Sequence, residues 1–298
     1  MKSNEVITEI YHRAGLWFIN AIARSSGYRV ARNLPYGESG RQRMDHYLLP
    51  DHGSRPTVLF FYGGNWRSGR KEDYRFVADT LLASGCNVII PDYRLYPLVR
   101  FGEIRADAVS AYKLTCDLVP ADQSLYVLGH SAGAHLGALL TLDSSLLSDQ
   151  YRSRLSGFIG LAGPYDYYPY TDDDHWDLFG PEEAYPESRV TNFVGADAAP
   201  LYLLHGAEDT RVRRGHSKSL MEQQRAAGGI ANREVYSGLG HVEIILAFSR
   251  VYRTNSPVIR DIIEFIRCES HSNTIEDQSN QDHSTQANKN LKEASHGT

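Results

Sequence analysis

Five residues constrain the fold most. Gly129-His130-Ser131-Ala132-Gly133 follows the apolar run Ser124–Leu128 directly and opens the helix-like stretch Ala134–Leu142. A serine between two glycines, at the junction of a buried strand and a helix, sits on a sharp turn that projects Oγ into solvent. The glycines lack Cβ atoms, so strand and helix can approach closely there. The helix start then aims free N–H groups at developing negative charge. Ser131 is therefore the candidate nucleophile, and Ala132 a candidate oxyanion donor.

The rest of the chain supplies the frame such a turn needs. Apolar runs at Thr57–Phe61, Asn87–Ile90, Phe158–Ala162, Leu201–Leu204 and Glu234–Tyr236 alternate with segments of helical spacing at 71–84, 103–118, 132–147, 215–227 and 257–267. Most of the runs are apolar on both faces, as strands covered on each side must be. The alternation predicts an α/β fold with a doubly wound, mostly parallel sheet. Gly27–Arg32 and Arg43–Leu49 alternate in polarity and predict an antiparallel hairpin at the sheet edge. With 298 residues, 42% of them hydrophobic, the chain is long enough for one large α/β domain.

A serine hydroxyl needs a base, and the base an orienting carboxylate. Both follow Ser131 in chain order. His205-Gly206-Ala207-Glu208-Asp209 comes after a buried run, at the end of a strand, where ligands collect in open α/β sheets. Spacing alone leaves Glu208 and Asp209 in competition. Gly238-Leu239-Gly240-His241 puts His241 on a glycine-rich loop after the last strand, ahead of the helical Val242–Phe248. His130 and His135 flank the nucleophile, and His135 reads as a packed, hydrogen-bonded histidine. His205 reads as loop-shaping, and His216 as the start of a surface helix.

Tyr62-Gly63-Gly64-Asn65-Trp66 ends the first buried strand. Its glycines let backbone N–H groups turn toward an oxyanion, so Gly63, Gly64 and Asn65 join Ala132 in the candidate hole. Asp92 and Arg94 of Pro91-Asp92-Tyr93-Arg94 read as braces for nearby loops.

With these motifs, the chain resembles the α/β-hydrolase superfamily. More narrowly it resembles the esterase/lipase-like carboxylesterase branch, which includes kynurenine formamidase relatives with an H-G-G-x-W motif. The resemblance runs from about residue 27 to 267. It rests on Tyr36-Gly37, Arg41-Gln42-Arg43-Met44-Asp45, residues 62–66, 91–94 and 129–133, Asn192-Phe193, residues 205–209 and Gly240-His241. It implies Ser131 as nucleophile, Asp209 as acid and His241 as base. Tyr62 stands where the motif usually has His; that His mainly supports the loop, so a working hole is still expected.

The segment 165–188 carries Tyr165, Tyr167, Tyr168, Tyr170, Trp176, Phe179 and Tyr185 among many acids, with no Lys or Arg. It predicts an aromatic, acidic flap over the active face, with Trp66, Tyr168 and Trp176 in the substrate pocket. Such a flap would favour neutral or cationic, fairly apolar groups. The plainer alternative is a solvated surface loop.

The expected activity is hydrolysis of a small-molecule carboxylic ester through an acyl-enzyme, with no metal or organic cofactor. It should fall below about pH 6 as the base protonates, from the ordinary histidine pKa. An amidase of the formamidase type uses the same machinery. A catalytically idle binding module is the alternative of another class.

The formal net charge of −5, without a Lys/Arg block, gives a nucleic-acid partner no support. Three widely spaced cysteines, Cys86, Cys116 and Cys268, predict neither a disulfide framework nor a cysteine zinc site and suit the cytoplasm. No apolar run reaches the ~20 residues that span a bilayer. Residues 1–25 read as an amphipathic helical segment, although Leu16–Ala23 has some features of a signal or membrane-contact element. Residues 26–268 read as the catalytic domain. Residues 269–298, poor in large apolar side chains, read as a disordered tail. The sequence is silent on oligomeric state.

Overall fold

The computed structural model describes residues 19–20, 27–252 and 256–268. Eight strands form one sheet in the order β1-β2-β4-β3-β5-β6-β7-β8. They are β1 (Arg29–Pro35), β2 (Arg43–Leu48), β3 (Thr57–Phe61), β4 (Asn87–Pro91), β5 (Leu125–His130), β6 (Leu155–Leu161), β7 (Leu201–Gly206) and β8 (Ala231–Tyr236). Strands β3 to β8 run parallel, whereas β2 pairs antiparallel with both β1 and β4. The edge hairpin expected from polarity alternation is present.

Every residue of β3, β4 and β5 is buried, which explains their unbroken apolar runs. Strand β8 differs: Asn232 and Glu234 are exposed, because this is the free edge of the sheet. Its polar first half hid the strand's start in the sequence. The helices that bear on the site are α1 (Arg75–Ala83), α2 (Phe101–Leu118), α3 (Ala132–Leu142), α4 (Asp173–Phe179), α5 (Gly215–Ala226) and α6 (Glu243–Leu246), besides single turns at Asp149–Arg152 and Tyr185–Ser188. A last helix, α7, covers 257–268.

Helix α3 is buried along its whole length, with no polar face, as befits the helix behind the nucleophile turn. It ends five residues earlier than the expected 147. The reason is local: Asp143 Oδ1 accepts from Ser145 N at 3.0 Å and from Ser145 Oγ at 2.6 Å, and this side-chain turn competes with a further helical turn. At the front of the chain, Ile19 packs on the core and Asn20 caps α1, accepting from Phe76 N at 3.1 Å. The rest of segment 1–25 and the tail 269–298 lie outside the described residues.

Candidate active site

Ser131 lies between β5 and α3 with φ 54° and ψ −121°. A non-glycine residue rarely adopts that conformation, which costs of order 1–3 kcal/mol and persists only where the surroundings enforce it. They do so here. A Cβ on Gly133 would collide with the Phe61 carbonyl, and one on Gly129 with the start of α3. The strand, the turn and the helix are thus pressed against β3, and Ser131 N donates to Leu161 O at 2.9 Å. Ala132 opens α3, so its N–H is among those with no acceptor inside the helix.

Two loops deliver the other groups. Ala207 N donates to Tyr236 O at 2.8 Å and Glu208 N to Leu239 O at 2.9 Å, which ties the loop after β7 to the loop after β8. Gly206 lies directly under the Leu239 carbonyl, where a Cβ would not fit. Across this junction His241 Nδ1 stands 2.8 Å from Asp209 Oδ2, and His241 Nε2 stands 2.9 Å from Ser131 Oγ. An ionised carboxylate only accepts, so Nδ1 carries the proton and Nε2 is free to accept from Ser131. The adjacency left open by spacing is resolved by position: Asp209 is fully buried at the imidazole, whereas Glu208 is exposed.

Asp209 has four donors. Oδ1 accepts from Arg211 N and Val212 N, both at 2.9 Å. Oδ2 accepts from His241 and lies 3.2 Å from His205 Nε2. Burial opposes ionisation, but the bonds from His205, His241 and Val212 N outweigh it and hold the carboxyl well below the usual carboxylate range. His205 therefore does more than shape a loop; its Nε2 also lies 2.9 Å from Val212 O. His130 braces the base from the other side, with Nε2 2.9 Å from the His241 carbonyl. His135 is packed as expected, its Nε2 2.6 Å from Ser188 O. His216 is half-buried rather than superficial, and accepts from Asp166 N.

The loop after β3 faces the serine. A Cβ on Gly63 would touch Ser131 and His130, and Gly64 has φ 139°. Asn65 and Trp66 follow at φ 54° and 58°. Tyr62, in place of the motif's usual His, is fully buried between the rings of Tyr74 and Tyr93. Its hydroxyl donates to Asp92 Oδ1 at 2.7 Å and accepts from Arg41 Nη2 at 3.0 Å. Tyrosine thus anchors the loop through its own polar partners. Asp92 is the expected brace, and also accepts from Lys71 N at 2.8 Å. Arg94 likewise pairs with the buried Asp107 at 2.7 Å.

A cavity of about 660 Å³ opens onto Ser131 and His241. Gly63, Gly64, Asn65 and Trp66 line it, together with Leu95, Tyr167, His175, Val212, Ile245 and Leu246. Tyr168 and Trp176, expected in the pocket with Trp66, are not in the lining; they meet the rings of Tyr170 and Tyr185 edge-on or tilted, and Tyr168 is exposed. Their neighbours Tyr167 and His175 line it instead.

The acids of 165–188 are also less free than their number suggests. Arg67 pairs with Asp172 and Asp174, Arg100 with Asp177, Arg105 with Glu187, and Arg189 with Asp166. These carboxylates tether the flap to the body, and Asp172 among them also lines the cavity.

The comparisons with known proteins fit this geometry. The BD-FAE family model matches residues 44–224, more than half of the chain. The chain belongs to the BD-FAE family. The match includes Ser131 and Asp209 and ends before His241. Isoprenylcysteine alpha-carbonyl methylesterase of Arabidopsis thaliana is 26% identical over 277 residues, 84% of this chain and 65% of that one. Kynurenine formamidase of Danio rerio is 30% identical over 143 residues, 46% of this chain and 47% of that one. This BD-FAE member spans 52–65% of the length of the methylesterase relatives it matches. Esterase B from Lactobacillus rhamnosis superposes with a TM-score of 0.78 at 19% identity, covering 94% of this chain and 98% of that one. The fold is that of the α/β-hydrolases.

Proposed function

We propose that the chain is a serine carboxylic-ester hydrolase acting on small to medium acyl or aryl esters. The observation that carries this reading is the hydrogen-bond relay from Ser131 through His241 to a buried Asp209. Ser131 Oγ attacks the ester carbonyl carbon as its proton passes to His241 Nε2. Asp209 holds the imidazole tautomer and stabilises the imidazolium. The charge on the carbonyl oxygen is met by backbone N–H groups of the Gly63–Asn65 loop and of Ala132. The C–O bond breaks, the leaving alkoxide takes the proton from Nε2, and an acyl-enzyme remains. Water, deprotonated by the same nitrogen, releases the acid and restores Ser131. No metal or organic cofactor is needed in this sequence.

Trp66, Leu95, Tyr167, Ile245 and Leu246 give the cavity an apolar side that suits the acyl or aryl part of an ester, while Arg41, Arg70, Asp73, Asp172 and Arg211 also line it. The activities for which the methylesterase and formamidase relatives are named both transfer an acyl group to water. The formamidase likeness favours one second reading, an amidase on the same residues. No helix among the described residues is long and apolar enough to cross a membrane. Cys86, Cys116 and Cys268 are widely spaced and show no disulfide among the described residues, which suits a reducing cytoplasm; fractionation of the expressing cells would test this.

The deciding experiment is hydrolysis of a p-nitrophenyl acyl series, acetate to laurate, by wild type and Ser131→Ala. Turnover that falls with chain length and vanishes in the variant supports the ester reading. Wild-type inactivity on every ester, with turnover of N-formyl aryl amides, replaces it with the amidase reading.

A further inference from the structure

The flap helix α4 reaches the loop after β3 at three consecutive residues. His175 Nε2 lies 3.0 Å from Asn65 Oδ1. The Trp66 indole meets the rings of His175 and Phe179 edge-on, at centroid distances of 5.8 and 5.0 Å. Arg67 pairs with Asp174. Asn65 and Trp66 are the two non-glycine residues of this loop in the left-handed region, which asparagine tolerates but the bulky Trp66 does not favour. Such a conformation is held only if something outside the loop holds it. His175 is 2% exposed and Asn65 is exposed, so water is kept from the histidine side of their bond.

We infer that His175 is a positioning residue: through Asn65 it keeps the N–H groups of this loop aimed at the substrate oxygen. The flap is then part of the reaction machinery by way of its inner side and not merely a cover for the pocket. Desolvation keeps His175 neutral by lowering its pKa, which leaves Nε2–H as the donor and Asn65 Oδ1 as the acceptor. The inference rests on the serine-hydrolase reading of Ser131, but not on the identity of the ester.

The test is the rate at which a fluorophosphonate labels Ser131, with Ser131→Ala as the blank. Adduct formation places negative charge on the phosphoryl oxygen and uses the same donors, whatever the physiological substrate. Removing one oxyanion donor costs about 10²–10³-fold, so misaiming one through His175→Phe should slow the maximal labelling rate about 10–100-fold. The half-saturating probe concentration should move less than about threefold, because a positioning loss appears in the rate and not in binding. His175→Gln, which keeps a donor, should recover most of the rate. Asn65→Gly removes the acceptor while tolerating the backbone; adding His175→Phe to it should slow labelling no further.

The inference is overturned if His175→Phe labels within twofold of wild type, or if its effect persists in full beside Asn65→Gly. It is also overturned if the loss tracks a fall in the folded fraction seen by thermal melting. Wild-type labelling without ester turnover would sink the esterase reading and leave this one standing. An unlabelled Ser131 in folded wild type would sink both.

Discussion

The nucleophile turn and the flap meet at one cavity but are held in place by different forces. The turn is confined by backbone. Gly129 and Gly133 leave no room for a side chain between β3, β5 and α3, and Ser131 is strained as a result. The flap is confined by side chains: partly exposed ion pairs from Arg67, Arg100, Arg105 and Arg189, and aromatic rings packed edge to face. Close-packed backbone tolerates almost no displacement, whereas ion pairs at the surface contribute little each and are screened by salt. On the proposed function, the attacking atom lies on the first kind of support and the cover of its cavity on the second.

The sharpest way to break that comparison is at the carboxylate. Asp209→Asn should cost about 10³–10⁴-fold in kcat, because an amide no longer selects the Nδ1–H tautomer of His241. Glu208→Gln, one residue away and exposed, should stay within about twofold. Steady-state kinetics of the pair checks both, and equal losses would refute the assignment of Asp209.

Next is the backbone itself. Gly133→Val forces a branched side chain onto the Phe61 carbonyl and should destabilise by more than about 4 kcal/mol, giving insoluble or unfolded protein on expression. A soluble variant with a wild-type melting temperature would show the turn to be softer than described.

Acid should act on the buried frame before the flap. Burial pushes the pKa of His135 down to about 4, and that of His46 likewise. An unfolded chain takes up these protons near pH 6.5, the folded one only near pH 4. Stability is therefore fully present above about pH 6.5 and declines as pH falls toward 4, by roughly 3 kcal/mol for His135 at the low end. Melting temperatures taken across this window should drop, and His135→Phe should flatten part of the slope. A slope unchanged in that variant would remove His135 as its source.

The smallest effect belongs to the flap tethers. Arg100→Ala leaves Asp177 exposed to water and should leave stability almost unchanged, with any difference gone in high salt. A larger, salt-insensitive loss in denaturant titrations would mean the flap is packed as firmly as the turn.

The same division explains what could be read from the sequence. The strands of the sheet centre announced themselves because burial on both faces demands unbroken apolar runs, and Gly129–Gly133 because only glycine fits there. Ser131, Asp209 and His241 could be placed at strand ends, although the choice of Asp209 over Glu208 needed coordinates, since neighbours in sequence differ only in where they point. The flap resisted. Tyr168 and Trp176 look no different from Tyr167 and His175 in composition, and no period tells which of four neighbouring rings turns inward. The second contacts of His205 and His175 were hidden for a related reason: each joins residues brought together by the fold, not by spacing. The acids of 165–188 were visible, but the arginines that neutralise most of their number lie elsewhere in the chain.

The two edges of the sheet have a bearing on crowding. One edge ends on β1 of the antiparallel hairpin, and the other ends on β8, where exposed Asn232 and Glu234 flank Arg233. A strand from another molecule that approached β8 would have to lay its side chains beside this polar row, with little apolar surface to gain. During synthesis, when many partly folded copies are close together, that last strand discourages sheets from growing into one another.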